Sequence, residues 1–223
     1  EGEGLCGFIF KGGSPSSGME RVKVYDGKGV PAKIGVGIFA RIFMEHFPLI
    51  PVEEDGRLHD PVLRENFIER IFALRRMAKV SQGGSALRAI VDFHTHNKLL
   101  IMSHSPKHLQ EMGRIVANIK TLAPQSSINR YQELLMEALK LKATPRKNSN
   151  VLMHMLGYFK KDLDPSEKQE VLEIVDKYRR ELIPLIVPIT LISHYVRKYD
   201  QPYLKEQAYL NPHPLELQLR NHV

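Results

Sequence analysis

Apolar residues fall in short blocks over the first 56 positions and at helical spacing from there on. Leu5–Phe10 is a short apolar run closed by Gly12-Gly13, and Val22–Tyr25 is a second, closed by Asp26-Gly27. Val36–Phe47 changes period: Ile38, Phe39, Ile42 and Phe43 share one side, which predicts a helix. Leu49–Val52 reads as a short strand ahead of an acidic linker, Glu53-Glu54-Asp55-Gly56. Alternation of strand and helix is the signature of an α/β layer, here too short to bury a good core by itself.

From residue 60 a new punctuation repeats. Asp60-Pro61, Ser105-Pro106, Thr144-Pro145 and Asp164-Pro165 each pair an oxygen-bearing side chain with a proline. The oxygen can accept from the first free amides of a helix, and proline at the first helical position has no amide to satisfy. Each pair opens a run with helical apolar spacing. The predicted helices cover about 61–79, 86–103, 106–121, 127–142, 146–162, 165–181, 188–199 and a short 203–208. The fold class is therefore mainly α. A short N-terminal α/β remnant (residues 1–56) precedes an all-α domain (residues 57–223) of about seven to eight helices.

Charge changes this picture by dividing the chain. Residues 1–60 carry 7 Lys and Arg against 9 Asp and Glu, whereas residues 61–223 carry 25 against 16. Eight of the ten histidines also follow residue 60. A basic half beside a slightly acidic one points to a polyanionic partner or to a lysine-rich solvated surface. One cysteine allows no internal disulfide, and the N-terminus shows no signal peptide; both fit a cytoplasmic protein. No apolar run is long enough to predict a membrane span.

Three constellations can carry chemistry. In Phe93–His104, His94 and Lys98 fall within the stripe formed by Leu87, Ile90, Val91, Ile101 and Met102. They read either as a core histidine beside a lysine whose head escapes to water, or as a polar pocket for a phosphate or base. Lys147, Asn150, His154, Tyr158 and Lys161 share the face opposite Leu152, Met155, Leu156 and Phe159. That face is a solvated surface or a ridge suited to backbone charge and base stacking. In the tail, His194, Tyr195 and Arg197 precede Tyr203, Tyr209 and a Pro-His-Pro run, which suits RNA or simply wraps the bundle. His104 and His108 are separated by Pro106, and no Cys/His spacing suggests a structural metal. Dinucleotide, Walker and nucleophile-elbow motifs are absent from the sequence.

The stretch Gly4–Lys11, Gly12–Gly18 with Ser14-Pro15-Ser16-Ser17-Gly18, and Val22–Gly27 resembles the second half of TudS-type thiouracil desulfidases. Phe93–Pro106, Asn150–Lys161, Pro184–Tyr195 and Tyr203–Pro214 resemble the YbgA-like domain of unknown function. The fused order resembles RudS-type desulfidases of 4-thiouridine in tRNA, whose helical domain is thought to bind the tRNA. The resemblance implies a 4Fe–4S cluster in intact members, held by three cysteines, with one iron free to take the substrate sulfur. It places Ser14 at a serine that assists proton transfer and Ser17 at the third cluster cysteine; the other two would lie upstream of Glu1. His94, Lys98 and His104 match the helical domain's histidine motif, whereas His96-Asn97 departs from its Arg-His. A serine hydroxyl is a poor ligand where soft thiolate is required. The expectation for this chain is therefore no cluster, no structural metal and no membrane. It binds tRNA or another structured RNA through His94, Lys98, His104, Lys147, Asn150, His154, Tyr158, Lys161, His194, Tyr195 and Arg197, without sulfur removal. The alternative is an interaction or scaffold protein with no nucleic-acid role.

Overall fold

The computed structural model describes residues 4–80, 86–119, 124–217 and 219–221. By their contacts the residues form two compact units, Glu1–Arg75 and Arg76–Val223, the division falling within one long helix.

In the first unit, β1 (Phe8–Phe10) pairs in parallel with β4 (Val52–Glu54), in register Phe8 to Val52 and Phe10 to Glu54. A separate antiparallel hairpin joins β2 (Val22–Tyr25) to β3 (Pro31–Gly35), with α1 (Ile38–His46) between the hairpin and β4. The core is aromatic. Phe10, Ala40 and Phe43 are buried, and the Phe8 ring lies 4.6 Å from that of Phe43 and 4.8 Å from that of Phe10.

Three expectations are corrected here. The first strand is shorter than Leu5–Phe10, and β3 was not visible in the pattern, because most of its residues are exposed and show no alternation. Glu53 and Glu54 are not a solvated linker: both are buried and lie in β4. They are charged yet strand-forming because each carboxylate has backbone or guanidinium donors, as described below.

The helical part follows the punctuation closely. It comprises α2 (Pro61–Val80), α3 (Ala86–His104), α4 (Pro106–Asn118), α5 (Pro124–Lys140), α6 (Pro145–Leu156), α7 (Pro165–Arg179), α8 (Ile186–Lys198) and the single turn α9 (Pro202–Lys205). All four oxygen–proline pairs cap helices. Asp60 accepts from the amides of Val62 and Leu63, Ser105 from His108, Thr144 from Lys147, and Asp164 from Ser166 and Glu167. Asp164 and Glu167 complete a reciprocal capping box. The predicted helix over 146–162 stops at Leu156, tightens into a 3₁₀ turn over Gly157–Phe159, and does not reach residue 162. The predicted start at 127 moves to Pro124, a proline at the first helical position that the pattern had not used. The predicted end of the third helix, residues 120–121, lies outside the described residues.

In the second unit α3 packs on α4, α5 and α6, and α6 packs on α7 and α8. Ile90, Leu100, Met112, Leu135, Leu152 and Met155 fill the space between them. No helix of the described residues is long and apolar enough to cross a membrane.

Candidate functional sites

The serine loop of the first unit is built around one hydroxyl. Ser14 Oγ accepts from the amides of Ser16 at 3.3 Å and Ser17 at 3.2 Å, and the Ser14 carbonyl accepts from the amide of Gly18 at 2.8 Å. The loop then caps α1. That helix has no side-chain cap, and its first amides are satisfied by loop carbonyls: Ile38 by Pro15, Phe39 and Ala40 by Ser16. With those donors occupied, the N-terminus of α1 has no amides to offer an anion. Glu54 holds the far side of the loop, its Oε1 accepting from the amides of Met19 at 2.7 Å and Glu20 at 3.3 Å. Glu53 Oε1 accepts from Arg57 Nε at 2.6 Å, and Arg57 reaches Glu20 in turn. Asp55 accepts from the amides of Gly12 and Gly56 and from Lys11 Nζ; these donors hold its carboxyl low, at about 2. The acidic segment read as a linker is thus the brace of the serine loop.

Ser14 and Ser17 therefore sit half-buried in an ordered loop, where Ser17 brings a hydroxyl to the position the resemblance gives to a cluster thiolate. Ser17 itself does not fit a thiolate-held cluster, because a hydroxyl stands where the soft ligand would be. The chain's one cysteine, Cys6, donates to the Gly4 carbonyl at 3.3 Å. Among the described residues no three His, Cys, Asp or Glu side chains converge as metal ligands.

The second unit scatters the remaining predicted residues. His94 and Lys98 do not form a buried polar pair: Lys98 is exposed, while His94 is half-buried with Nδ1 3.1 Å from the hydroxyl of buried Tyr131. Burial first, and the Lys98 charge second, pull the His94 pKa below its usual value; burial pushes that of Tyr131 up. The helical wheel placed Lys98 by angle alone, and its long stem carries the head to water. His104 is buried, its Nδ1–H donating to the Leu141 carbonyl at 2.5 Å. Lys147 leaves the predicted ridge, because Nζ donates to the carbonyls of His104 at 2.7 Å and Lys142 at 3.1 Å, closing the C-terminal end of α3. His194 is exposed and Arg197 is exposed, but Tyr195 is buried, its hydroxyl donating to Glu170 at 2.8 Å. Burial and that carboxylate raise the Tyr195 pKa to about 12.

Asn150, His154, Tyr158 and Lys161 do stay exposed together along α6 and the turn after it. Tyr158, 43% exposed, stacks on Tyr203 of α9 with ring centroids 4.9 Å apart and planes 16° from parallel. Burial and the neighbouring Tyr158 raise the Tyr203 pKa to about 12. The stacked Tyr158 lies in the chain between two exposed residues, the imidazole of His154 and the ammonium of Lys161.

The sequence pattern missed the polar residues that fix this unit. Asn97, a departure from the family motif, is buried; its amide donates to the Phe93 carbonyl and its Oδ1 accepts from Arg76, which also donates to the Pro212 carbonyl. Gln207 bridges the tail to α3, donating to the Thr95 carbonyl and accepting from the Leu99 amide. Asn148 sits between two tyrosines, donating to Tyr178 Oη and accepting from Tyr209 Oη, both at 3.0 Å. For Asn97 and Asn148 the available signal was an amide side chain on the core side of a helix, which needs partners that only the fold supplies.

Comparison with known proteins finds two families along the chain. Residues 98–214 match the family described as protein of unknown function (DUF1722), and residues 1–55 match the family 2-thiouracil desulfurase. Uncharacterized protein YbgA of Escherichia coli (strain K12) is 33% identical over 153 residues, which cover 68% of this chain and 90% of that protein. No solved structure gives a significant match.

Proposed function

The chain belongs to the DUF1722 family, and on that footing we propose that it is a desulfidase relative whose helical unit binds structured RNA such as tRNA, while the residues it carries do not remove sulfur. The observation that supports RNA binding is the stacked Tyr158–Tyr203 platform beside exposed His154 and Lys161. An exposed aromatic ring can stack on an unpaired base, and a lysine ammonium can neutralise phosphate, which is the combination single-stranded RNA calls for. The desulfurase match and the ordered serine loop support descent from a sulfur-removing enzyme. Ser17, a hydroxyl where the resemblance expects a cluster thiolate, supports loss of the chemistry.

The test is tRNA binding to the whole chain by fluorescence anisotropy across a salt series. Affinity should fall steeply with salt, and Tyr158→Ala should weaken it by about 5- to 100-fold with the fold intact. No binding at low salt overturns the RNA reading. For the chemistry, the wild-type chain and Ser17→Cys are exposed to iron and sulfide without oxygen and then given 4-thiouridine. Both should release no sulfide; sulfide release by the wild type overturns the non-catalytic reading.

A role in protein interaction has one observation in its favour. Ile34, Ile38 and Ile42 of the first unit are exposed, Ile34 by 76%. A stable protein complex unaffected by charge reversal at Lys161 would support that reading over RNA.

A further inference from the structure

The β2–β3 hairpin carries a charge pattern unlike the rest of its unit. Within residues 21–41 lie five basic residues (Arg21, Lys23, Lys28, Lys33 and Arg41) and one acid, Asp26. The other positions of residues 1–60 hold two basic residues against eight acids. Asp26 forms no ion pair among the described residues; its Oδ1 accepts from the amides of Lys28 and Val30 at 2.8 Å each and holds the turn.

The antiparallel register places Lys23 directly opposite Lys33, and Tyr25 opposite Pro31. Strand periodicity puts Lys23, Lys33, Tyr25 and Pro31 on one face, and all four are exposed, Tyr25 by 62%. Like charges directly opposite each other destabilise a hairpin. Among the described residues no carboxylate lies within ion-pair distance of either lysine: Glu20 pairs with Arg57, and Asp55 with Lys11. A two-stranded ribbon, marginal in water by itself, thus carries an uncompensated repulsion at its centre. An anion bridging the two ammonium groups relieves it, and the tyrosine beside them supplies a face for a base.

We propose that the Lys23–Lys33 face of the β2–β3 hairpin is a second RNA-binding surface, with the two lysines on neighbouring phosphates and Tyr25 stacked on an unpaired base. This rests on the reading that the chain binds RNA, but places a contact in a different unit from the Tyr158 platform.

The experiment measures tRNA affinity against salt for the whole chain as wild type, Lys33→Glu, Lys33→Gln, Tyr25→Ala and Tyr158→Ala, with thermal unfolding of each. Lys33→Glu and Lys33→Gln should weaken binding and make the log–log salt slope shallower by about 1. Tyr25→Ala should weaken binding about 5- to 100-fold with little change in slope. Lys33→Glu creates an opposite-charge cross-strand pair, so its unfolding midpoint should rise by about 1–4 °C while RNA affinity falls. If Tyr158→Ala weakens binding and the Lys33 and Tyr25 variants match wild type in affinity and slope, this surface is refuted and RNA binding stands. If the wild type fails to bind, both fall together. Retention on phosphatidylglycerol vesicles that Lys33→Glu abolishes, with tRNA affinity unchanged, assigns the face to a lipid surface and overturns the proposal.

Discussion

Replacing Gly37 by alanine sets a methyl group against the backbone of Ser16 and Ser17. A Cβ built at this position lies 2.3 Å from the Ser16 carbonyl oxygen, 2.5 Å from its carbonyl carbon and 2.8 Å from the Ser17 amide nitrogen. Ordinary contact needs about 3.5 Å, so the serine loop or the start of α1 must shift by about 1 Å. Four hydrogen bonds cross that junction: Gly37 to Gly18 at 2.8 Å, Ile38 to Pro15 at 3.3 Å, and Phe39 and Ala40 to Ser16 at 2.9 and 3.3 Å. Backbone strain is not the cause, because Gly37 has φ −61° and ψ 144°, which alanine adopts freely. By the unfolded-state argument alone the substitution would stabilise by about 0.4–1 kcal/mol. Against that stand overpacking, about 1–3 kcal/mol, and weakened cap bonds at about 1 kcal/mol each. The net expectation is a loss of about 2–4 kcal/mol in the first unit. Urea unfolding by circular dichroism measures it, and amide exchange at Phe39 and Ala40 localises it. Gly27→Ala is the control, since a Cβ there meets nothing within 4 Å. If the two variants agree within about 0.5 kcal/mol, the close-approach argument for the loop and helix is wrong.

Asn148→Leu should destabilise the helical unit by about 1–3 kcal/mol in chemical denaturation, because it removes the two amide hydrogen bonds to the Tyr178 and Tyr209 hydroxyls. Lys147→Ala should lower stability by about 1–2 kcal/mol, through the lost bonds to His104 and Lys142, and leave tRNA affinity nearly unchanged. Lys161→Ala should do the reverse, and equal effects of the two on RNA would refute the assignment of Lys147 to the helix end. Asp55 gives a pH dependence of defined sign. Its folded pKa is depressed to about 2 from the usual 3.8, so its contribution is complete above about pH 4 and is lost as pH falls toward 2. Asp55→Asn should flatten that part of the acid-unfolding curve, followed by circular dichroism.

What the sequence determined by itself was local. The four oxygen–proline pairs placed helix starts, because a capping oxygen reaches amides two or three residues away and proline presets the first helical φ. Apolar spacing then gave the helical bundle and the single helix of the first unit. The ancestry of residues 14–18 was equally legible, since it is written in consecutive residues. Tertiary structure decided everything that depends on a partner far along the chain. Glu53 and Glu54 became strand because β1 lies about 40 residues away and the serine loop offers its amides. Lys147 turned inward because the His104 carbonyl at the end of α3 lies within reach of its ammonium, a partner that no helical wheel of α6 contains. Tyr158 gained a stacking partner 45 residues later, and Asn97 became the clamp for Arg76 and the tail. A helical wheel assigns a residue to a side of its own helix. Only the fold determines whether that side meets water, a carbonyl or a ring, and this decided which predicted cations stay exposed.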